Sequence, residues 1–431
     1  MKIIEGFNQA KAALSRQALQ GAPAIDEREQ TVRQIVNDVR RRGDAAVHEY
    51  TEKFDGVKLT SLEVDKAQID RAYQEVDKEL LAALKLAAER ITAYHMEQKK
   101  ALLRDSKNKN LGWLVRPLER VGVYAPGFQA PLPSTVLMTA LPAKVAGVKE
   151  IILVTPPGKQ GSVSPITLAA AAVAGIDRVF SIGGAQAVAA LAYGTESVPR
   201  VDKVCGPGNI YVTLAKKMVF GDVGIDGLYG PSEVVIIADN TANPAYCAAD
   251  LLAQAEHGSG ASAIMITTWR EMAEKVNREI ENQLQNLSRR SIVAEGLEKK
   301  GFIAIVDTIE QAIDLANDYA PEHLCLVVAN ASSYIDKVKN AGCLFIGENS
   351  LEALVDYVAG PSHVLPTEGT ARFGSGLNIL DFVKLINVVN MDKKDIRQLG
   401  GATSIIALAE GLDAHAQAVA KRIENMSKGG S

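Results

Sequence analysis

Four of the six histidines in this 431-residue chain have an acidic residue close in sequence: Glu256-His257, Glu322-His323, Asp356 with His363, and Glu410 with His415. All four groups fall in the C-terminal half. An imidazole beside a carboxylate suits two kinds of chemistry. It can pass protons near neutral pH, or the two groups can share a metal ion. His48 and His95 lie in charged, helix-like stretches and read as surface or packing residues.

Gln254-x-x-His257 sits where a helix-like run meets glycine (LLAQAEHGSG). Residues three apart share a helix face, so the two side chains can converge on one point, as metal ligands must. The bland alternative is a helix end whose polar side chains reach water. In NDYAPEH (317–323), Pro321 stops a helix and His323 begins the strand-like HLCLVV. Residues just outside strand ends commonly line the binding crevice of α/β proteins. Glu322 and His323 are therefore a candidate proton-transfer pair, with a charged loop corner as the alternative. Two glycine turns, CGPGN (205–209) and GGAQ (183–186), join strand-like to helix-like segments and allow close backbone approach to a phosphate. Neither is G-x-G-x-x-G, so the standard dinucleotide fingerprint is absent. Cys205 has no base near it in sequence and reads as a structural thiol.

The elements that must carry these residues follow an α/β pattern. Residues 26–54 and 67–103 are charged amphipathic helices, the first broken at Gly43. From about residue 119, short buried strands (RVGVYA, EIILVT, RVFSIG, VDKVCG) alternate with helix-like stretches that close on glycine. A second series follows: EVVIIAD, a helix over 243–256, AIMITT, a helix from about 270, FIAIV, a helix near 309–318, HLCLVV and CLFIG. The alternation predicts two α/β units with parallel sheets. Residues 349–378 are loop-rich, which is uncommon at that length unless functional. An amphipathic helix over roughly 404–427 ends the chain.

Composition excludes several classes. A net charge of −4 gives no reason to expect nucleic acid or an anionic membrane as partner. No apolar run reaches the roughly 20 residues that span a bilayer. The N-terminal MKIIEGFNQAKAAL carries charges through its apolar stretch and reads poorly as a signal peptide. Cys205, Cys247, Cys325 and Cys343 are far apart and form no C-x-x-C pair, which suits reduced thiols in a cytoplasmic protein.

From about residue 26 to 427 the chain resembles the histidinol dehydrogenase family. The blocks that carry the resemblance are VGVYAPG (121–127), PSTVLMTALPAKVAG (133–147), GGAQAVAALAYGT (183–195), GPGNIYV (206–212), GPSEVVIIAD (230–239), AADLLAQAEHG (248–258), YAPEHL (319–324), DYVAGPSHVLPT (356–367) and EGLDAH (410–415). The resemblance implies oxidation of L-histidinol to L-histidine through an aldehyde, with Zn2+ and two NAD. It implies Gln254, His257, Asp356 and His415 as zinc ligands, His323 as general base, and Glu322 as the group that activates water. Ser232, His363 and Glu410 would hold substrate together with the ligand residues, and Tyr124, Gln186 and Asn209 would contact NAD. The implied fold is two incomplete Rossmann-like parallel-sheet domains with small helical N- and C-terminal segments. An N-terminal segment would span 1–25, a discontinuous zinc/catalytic domain 26–118 plus 233–378, and an NAD-binding domain 119–232. A C-terminal segment, 379–431, would be exchanged in a homodimer so that His415 and Glu410 complete the neighbour's site.

The chain departs from the family pattern at Phe128, Tyr229 and Val355, where the family usually has glycine, alanine and glycine. All three changes add bulk beside site motifs. They are expected either to border and reshape the substrate cavity or to be absorbed by repacking. The alternatives to a histidinol dehydrogenase are a same-fold dehydrogenase for another amino or polar alcohol, and a non-catalytic two-domain binding protein. The intact Glu322-His323 pair argues against the last, because binding alone needs no base.

Overall fold

The structure is a computed structural model that describes residues 1–16, 25–106, 110–127 and 130–428. Its strands, in chain order, begin with β1 (Lys2–Glu5) and β2 (Leu111–Pro117). A first α/β series supplies β3 (Arg120–Tyr124), β4 (Glu150–Thr155), β5 (Arg178–Ser181), β6 (Lys203–Cys205) and β7 (Gly224–Ile225). A second supplies β8 (Glu233–Ala238), β9 (Ser262–Thr267), β10 (Phe302–Ile305), β11 (His323–Val327) and β12 (Cys343–Ile346), and β13 (Val383–Val389) follows. The fold is α/β, with two parallel sheets.

The first sheet has the order β5-β4-β3-β6-β7, and the second has the order β1-β10-β9-β8-β11-β12. Every pairing in both is parallel. Central strands buried on both faces read as continuous apolar runs, which is why they stand out in the sequence. In β8 the alternation is explicit: Val234, Ile236 and Ala238 join one core with Met265 and Phe345. Val235 and Ile237 join the core on the other face, with Ile264, Tyr319 and Leu324.

The N-terminal helices pack on the first sheet, not on the second as the resemblance implied. The stripe Val32, Ile35, Val36 and Val39 of helix Ile25–Arg42 shares a core with Phe180, Leu191 and Val212. The reason is an open sheet edge. Segment 62–64 caps edge strand β5, through a Val64 N–H bond to Val179 O at 2.9 Å and a Ser181 N–H bond to Leu62 O at 2.7 Å. Arg178 and Glu63 pair at 2.6 Å along the same edge. The start of the expected N-terminal segment is more than a leader to the domains, because β1 adds an edge strand to the second sheet beside β10. Helix Lys78–Leu102 leaves this arrangement and runs close to Gly360, where an added Cβ would lie 3.0 Å from Tyr94 Cβ.

A smaller unit consists of residues 98–117 and 383–431. It is an antiparallel ribbon of β2 with β13 and a pair of helices, Lys393–Ala409 and Asp413–Lys428. The single terminal helix expected over 404–427 is thus two helices. Gly411, at φ 73°, takes the left-handed conformation that breaks them. Glu410 caps the first helix and His415 lies in the first turn of the second.

Candidate active site

Glu322 and His323 meet the main chain of the central strand. His323 opens β11 and pairs in register with Val234 of β8 on one side and Cys343 of β12 on the other. Its Nδ1 lies 3.1 Å from the carbonyl oxygen of Glu233. A carbonyl only accepts, so Nδ1 carries the proton and Nε2 carries the lone pair. That Nε2 is buried without a hydrogen-bond partner among the described residues. The Glu322 carboxylate accepts a hydrogen bond from the Glu233 N–H at 2.8 Å and lies 3.7 Å from His323 Nδ1. Burial pushes the His323 imidazole down to about 3 and the Glu322 carboxyl well above the carboxylate range. The pair sits at the amino ends of β8 and β11. The general rule puts ligand crevices at carboxyl ends, so here the site occupies the opposite edge of its sheet.

Beside the pair lies a group that can hold a metal ion. His257, Glu352 and Asp356 present ligand atoms that all lie within 4.8 Å of one another. Helix Pro244–Ala255 ends at this spot, which brings His257 here and buries Gln254 completely. Among the described residues, both polar atoms of the Gln254 amide lack a hydrogen-bond partner, as does Glu352 Oε2. Helix Glu352–Tyr357 carries the two acids one turn apart on one face. Glu352 Oε1 is 3.6 Å from His323 Nδ1. Burial pushes Asp356 up to about 6 and Glu352 well above its ordinary value. Among the described residues, neither acid forms an ion pair with lysine or arginine. Buried carboxylates persist when they are paired or coordinate a metal. Two acids, an imidazole and an unpartnered buried amide oxygen fit a divalent cation such as zinc. Glu256, next to His257, is not part of this group.

His363 connects the two sheets. Its Nδ1–H donates to the Asp356 carbonyl at 2.8 Å, and its Nε2 lies 3.3 Å from Thr135 Oγ1. Thr135 is in the first turn of helix Pro133–Ala146, which follows β3 of the first sheet. Burial pulls the His363 imidazole down to about 4. Ser232 directly precedes β8, on the side of the sheet where Glu322 accepts from the Glu233 N–H. The structure thus gathers Ser232, Gln254, His257, Glu322, His323, Asp356 and His363 along one edge. Glu410 and His415 belong to the smaller unit, on its exposed surface. Glu233, Glu352 and Thr135 were not singled out from sequence. Only Glu352 had a signal, its spacing of four residues before Asp356.

The expected NAD residues lie at the carboxyl edge of the first sheet. The order β5-β4-β3-β6-β7 reverses direction at β3, a switch point with a crevice beyond the carboxyl ends of β3 and β6. Tyr124 ends β3, and its hydroxyl accepts a hydrogen bond from Gly184 N–H at 3.1 Å. Gln186 is in the first turn of helix Gly184–Tyr193, with its Oε1 buried and unpartnered. Asn209 caps helix Ile210–Val219 by accepting from Tyr211 N–H and Val212 N–H. Gly206 is there for a backbone reason: at φ 110°, an added Cβ would lie 2.3 Å from Tyr124 O. Behind this loop, Lys216 and Asp226 form a buried ion pair at 2.5 Å, with side chains 2% and 0% exposed.

Two of the three bulky departures pack against surfaces of the protein itself. The Tyr229 ring covers the Lys216 ammonium at 4.6 Å, behind the glycine loop. Val355 packs against the core that contains Val234 and Phe345. Of the two expectations for these positions, absorption by repacking fits both, because each covers an apolar or cationic surface. Phe128 lies outside the described residues.

The fold and site define a two-sheet α/β enzyme with a buried acid–base pair, a cation-ready group and a nucleotide-type crevice. The sequence profile described as "Histidinol dehydrogenase" matches residues 20–423. Histidinol dehydrogenase of Dehalococcoides mccartyi (strain CBDB1) is 55% identical over 437 residues, covering 98% of this chain and all of that protein. That of Deinococcus radiodurans is 48% identical over 441 residues, with 98% of this chain and 100% of that protein covered. The crystal structure of histidinol dehydrogenase from Elizabethkingia anophelis matches with a TM-score of 0.93 at 38% identity, over 99% of each chain. The chain belongs to the histidinol dehydrogenase family, and it is an oxidoreductase of that type, with a place in histidine biosynthesis.

Proposed function

We propose that the protein oxidises L-histidinol to L-histidine through histidinal, using one zinc ion per site and two NAD in succession. The observation that carries this reading is the fixed tautomer of His323, whose buried Nε2 lone pair has no partner among the described residues and adjoins the cation-ready group. A buried imidazole with its proton held on Nδ1 is a base waiting for a proton on Nε2.

Gln254, His257 and Asp356 would hold the zinc, with His415 of the partner subunit. When bound, the ion supplies a positive anchor that orients the substrate's amine and imidazole nitrogens. Ser232, His363 and Glu410 hold the rest of the substrate, and Tyr124, Gln186 and Asn209 contact NAD. His323 takes the hydroxyl proton while hydride leaves the carbinol carbon for NAD. Glu322 then draws a proton from water as the water oxygen adds to the aldehyde carbon. The resulting hydrate loses a second hydride to a second NAD and becomes the carboxylic acid. One alcohol, one water and two NAD give one carboxylate, two NADH and three protons. Holding the aldehyde between the steps protects a reactive group from side reactions.

The smaller unit supports a homodimer with shared sites. It exposes Leu385, Val389, Ile405 and Ile406, each more than half accessible. Apolar surface of that kind marks an interaction face, and in this reading a second copy covers it and receives Glu410 and His415. A cytoplasmic location fits four free cysteines. No helix among the described residues is long and apolar enough to cross a membrane.

The test separates the two oxidations. NADH formation is followed from histidinol and, independently, from histidinal. His323→Ala is expected to slow alcohol oxidation by about 10²–10⁴-fold, the usual contribution of a positioned base. Glu322→Gln is expected to slow aldehyde oxidation more than alcohol oxidation. Equal losses on both substrates in both variants would sink the division of labour.

A further inference from the structure

Both members of the acid–base pair are fixed by the peptide groups of one residue, Glu233. Its N–H donates to Glu322 at 2.8 Å and its C=O accepts from His323 Nδ1–H at 3.1 Å. The direction in which Nε2 points is therefore set by where the Glu233 peptides lie.

The Glu233 side chain is itself clamped. Residues alternate across a strand, so Glu233 shares a face with Val235 and Ile237, in the core with Tyr319. His323 shares the opposite face with Cys325, and its ring lies 5.8 Å from Phe345. On the Glu233 face, 217 residues away in sequence, Arg16 binds both carboxylate oxygens: Nη1 meets Oε1, and Nη2 meets Oε2 at 3.0 Å. The Tyr319 hydroxyl donates to the same carboxylate at 3.2 Å. The guanidinium also lies 3.8 Å from the Tyr319 ring centroid.

Arg16 reaches the other half of the site as well. It donates to the Tyr319 carbonyl from Nε at 3.2 Å and Nη2 at 2.7 Å, and to the Ala320 carbonyl at 3.3 Å. Ala320 has φ 53°, a left-handed conformation that is strained for a residue with a Cβ. It stands two residues before Glu322. A planar fork of five donors suits one carboxylate and two carbonyls at once, which an ammonium does not.

We propose that Arg16 is a positioning residue for the Glu322–His323 pair: by clamping the Glu233 carboxylate and the Tyr319–Ala320 carbonyls, it sets the two peptide bonds that orient the catalytic groups from the far face of the sheet. The proposal rests on reading that pair as the catalytic one. Among the described residues, Arg16 hydrogen-bonds to Glu233, Tyr319 and Ala320, none of which is read as holding substrate or metal. Its loss changes the position of the base without changing what the base is. A displacement of about 1 Å in such a group can cost on the order of 10²-fold in rate.

The experiment has two readouts. The first is steady-state kinetics with histidinol and NAD on the zinc-loaded enzyme. Arg16→Ala is expected to lower kcat about 10–100-fold with KM changed less than about threefold and zinc content unchanged. Arg16→Lys should recover part of the loss, and low-millimolar guanidinium should partly restore Arg16→Ala. The second readout needs no substrate. In protein labelled with 15N-histidine, the hydrogen-bonded Nδ1–H signal of His323, assigned by its loss in His323→Gln, should shift in Arg16→Ala while the other imidazole signals stay. An unmoved His323 signal, or KM rising as much as kcat falls, would overturn the proposal. If Arg16→Ala does not fold, Tyr319→Phe removes only the hydroxyl bond and should shift the same signal by less; no shift there overturns it too. A wild type that leaves histidinol unoxidised, with the signal still moving in Arg16→Ala, would overturn the histidinol reading and uphold the clamp.

Discussion

Replacing Asp226 with asparagine should damage the protein more than any surface change, although Asp226 is far from the acid–base pair in sequence. Its Oδ1 meets Lys216 Nζ at 2.5 Å and accepts from Gly227 N–H at 2.9 Å, and its Oδ2 accepts from Gly206 N–H at 2.7 Å. Lys216 donates in turn to the Gly206 carbonyl at 3.0 Å. The pair thus holds both peptide groups of the glycine whose left-handed turn shapes the crevice. Asp226→Asn leaves an ammonium in a place where the Lys216 side chain is only 2% exposed. Removing one partner of such a pair costs about 3–5 kcal/mol. Against a typical total stability of roughly 5–15 kcal/mol, that is a large share. At roughly 2–4 °C per kcal/mol for a domain of this size, Tm should fall by about 6–20 °C. The assay is urea unfolding at fixed protein concentration, with NAD affinity measured by titration on the folded variant. NAD binding should weaken because Gly206 loses its anchor. Lys216→Met with Asp226→Leu should recover part of the stability, since the buried charge is gone, but not the affinity, since the Gly206 N–H stays unpaired. A loss below about 1 kcal/mol in Asp226→Asn would refute the reasoning, because so small a cost belongs to an exposed pair.

Other outcomes follow from the site. Gln254→Ala and His257→Ala should each lower the zinc content of the purified protein strongly, and full occupancy by elemental analysis would remove that residue from the ligand set. Tyr229→Ala should cost stability, about 1–2 kcal/mol from uncovering a buried ammonium, yet leave kcat/KM for histidinol within a few-fold. A large rise in kcat/KM would mean that the ring fills the substrate cavity after all. Co-refolding His257→Ala with His415→Ala should restore some activity if sites are shared, since one site of a hybrid dimer then receives neither defect. Hybrid dimers as inactive as the parent variants would place His415 in its own chain's site.

The buried strands of both sheets were legible because two covered faces leave few polar residues in EIILVT or EVVIIAD. Their partners were not. The stripe Val32, Ile35, Val36 and Val39 says that a helix face is buried, but not against which sheet. The deciding contacts of Leu62 and Val64 with the edge of β5 are main-chain hydrogen bonds, which any residue type can make. The short β1, KIIE, and the exposed ribbon of β2 with β13 lack the alternation that marks a half-buried strand. At the site, helical spacing paired Gln254 with His257, and the same rule applied four residues before Asp356 would have found Glu352. Nothing marked Glu233 or Arg16. One works through its peptide groups, and the other reaches across 217 residues to hold it. The sequence placed His323 at the start of its strand, and the acid–base pair does take the amino ends of β8 and β11.

The central claim is that one site carries an alcohol through an aldehyde to the acid. The most direct measurement is the stoichiometry of NADH per histidinol, taken to completion with limiting substrate and zinc-loaded enzyme, with the product identified by mass. Two NADH per histidinol are expected, with histidine as product and no free aldehyde captured by an added trapping amine. One NADH per histidinol, with histidinal accumulating in solution, would contradict the claim.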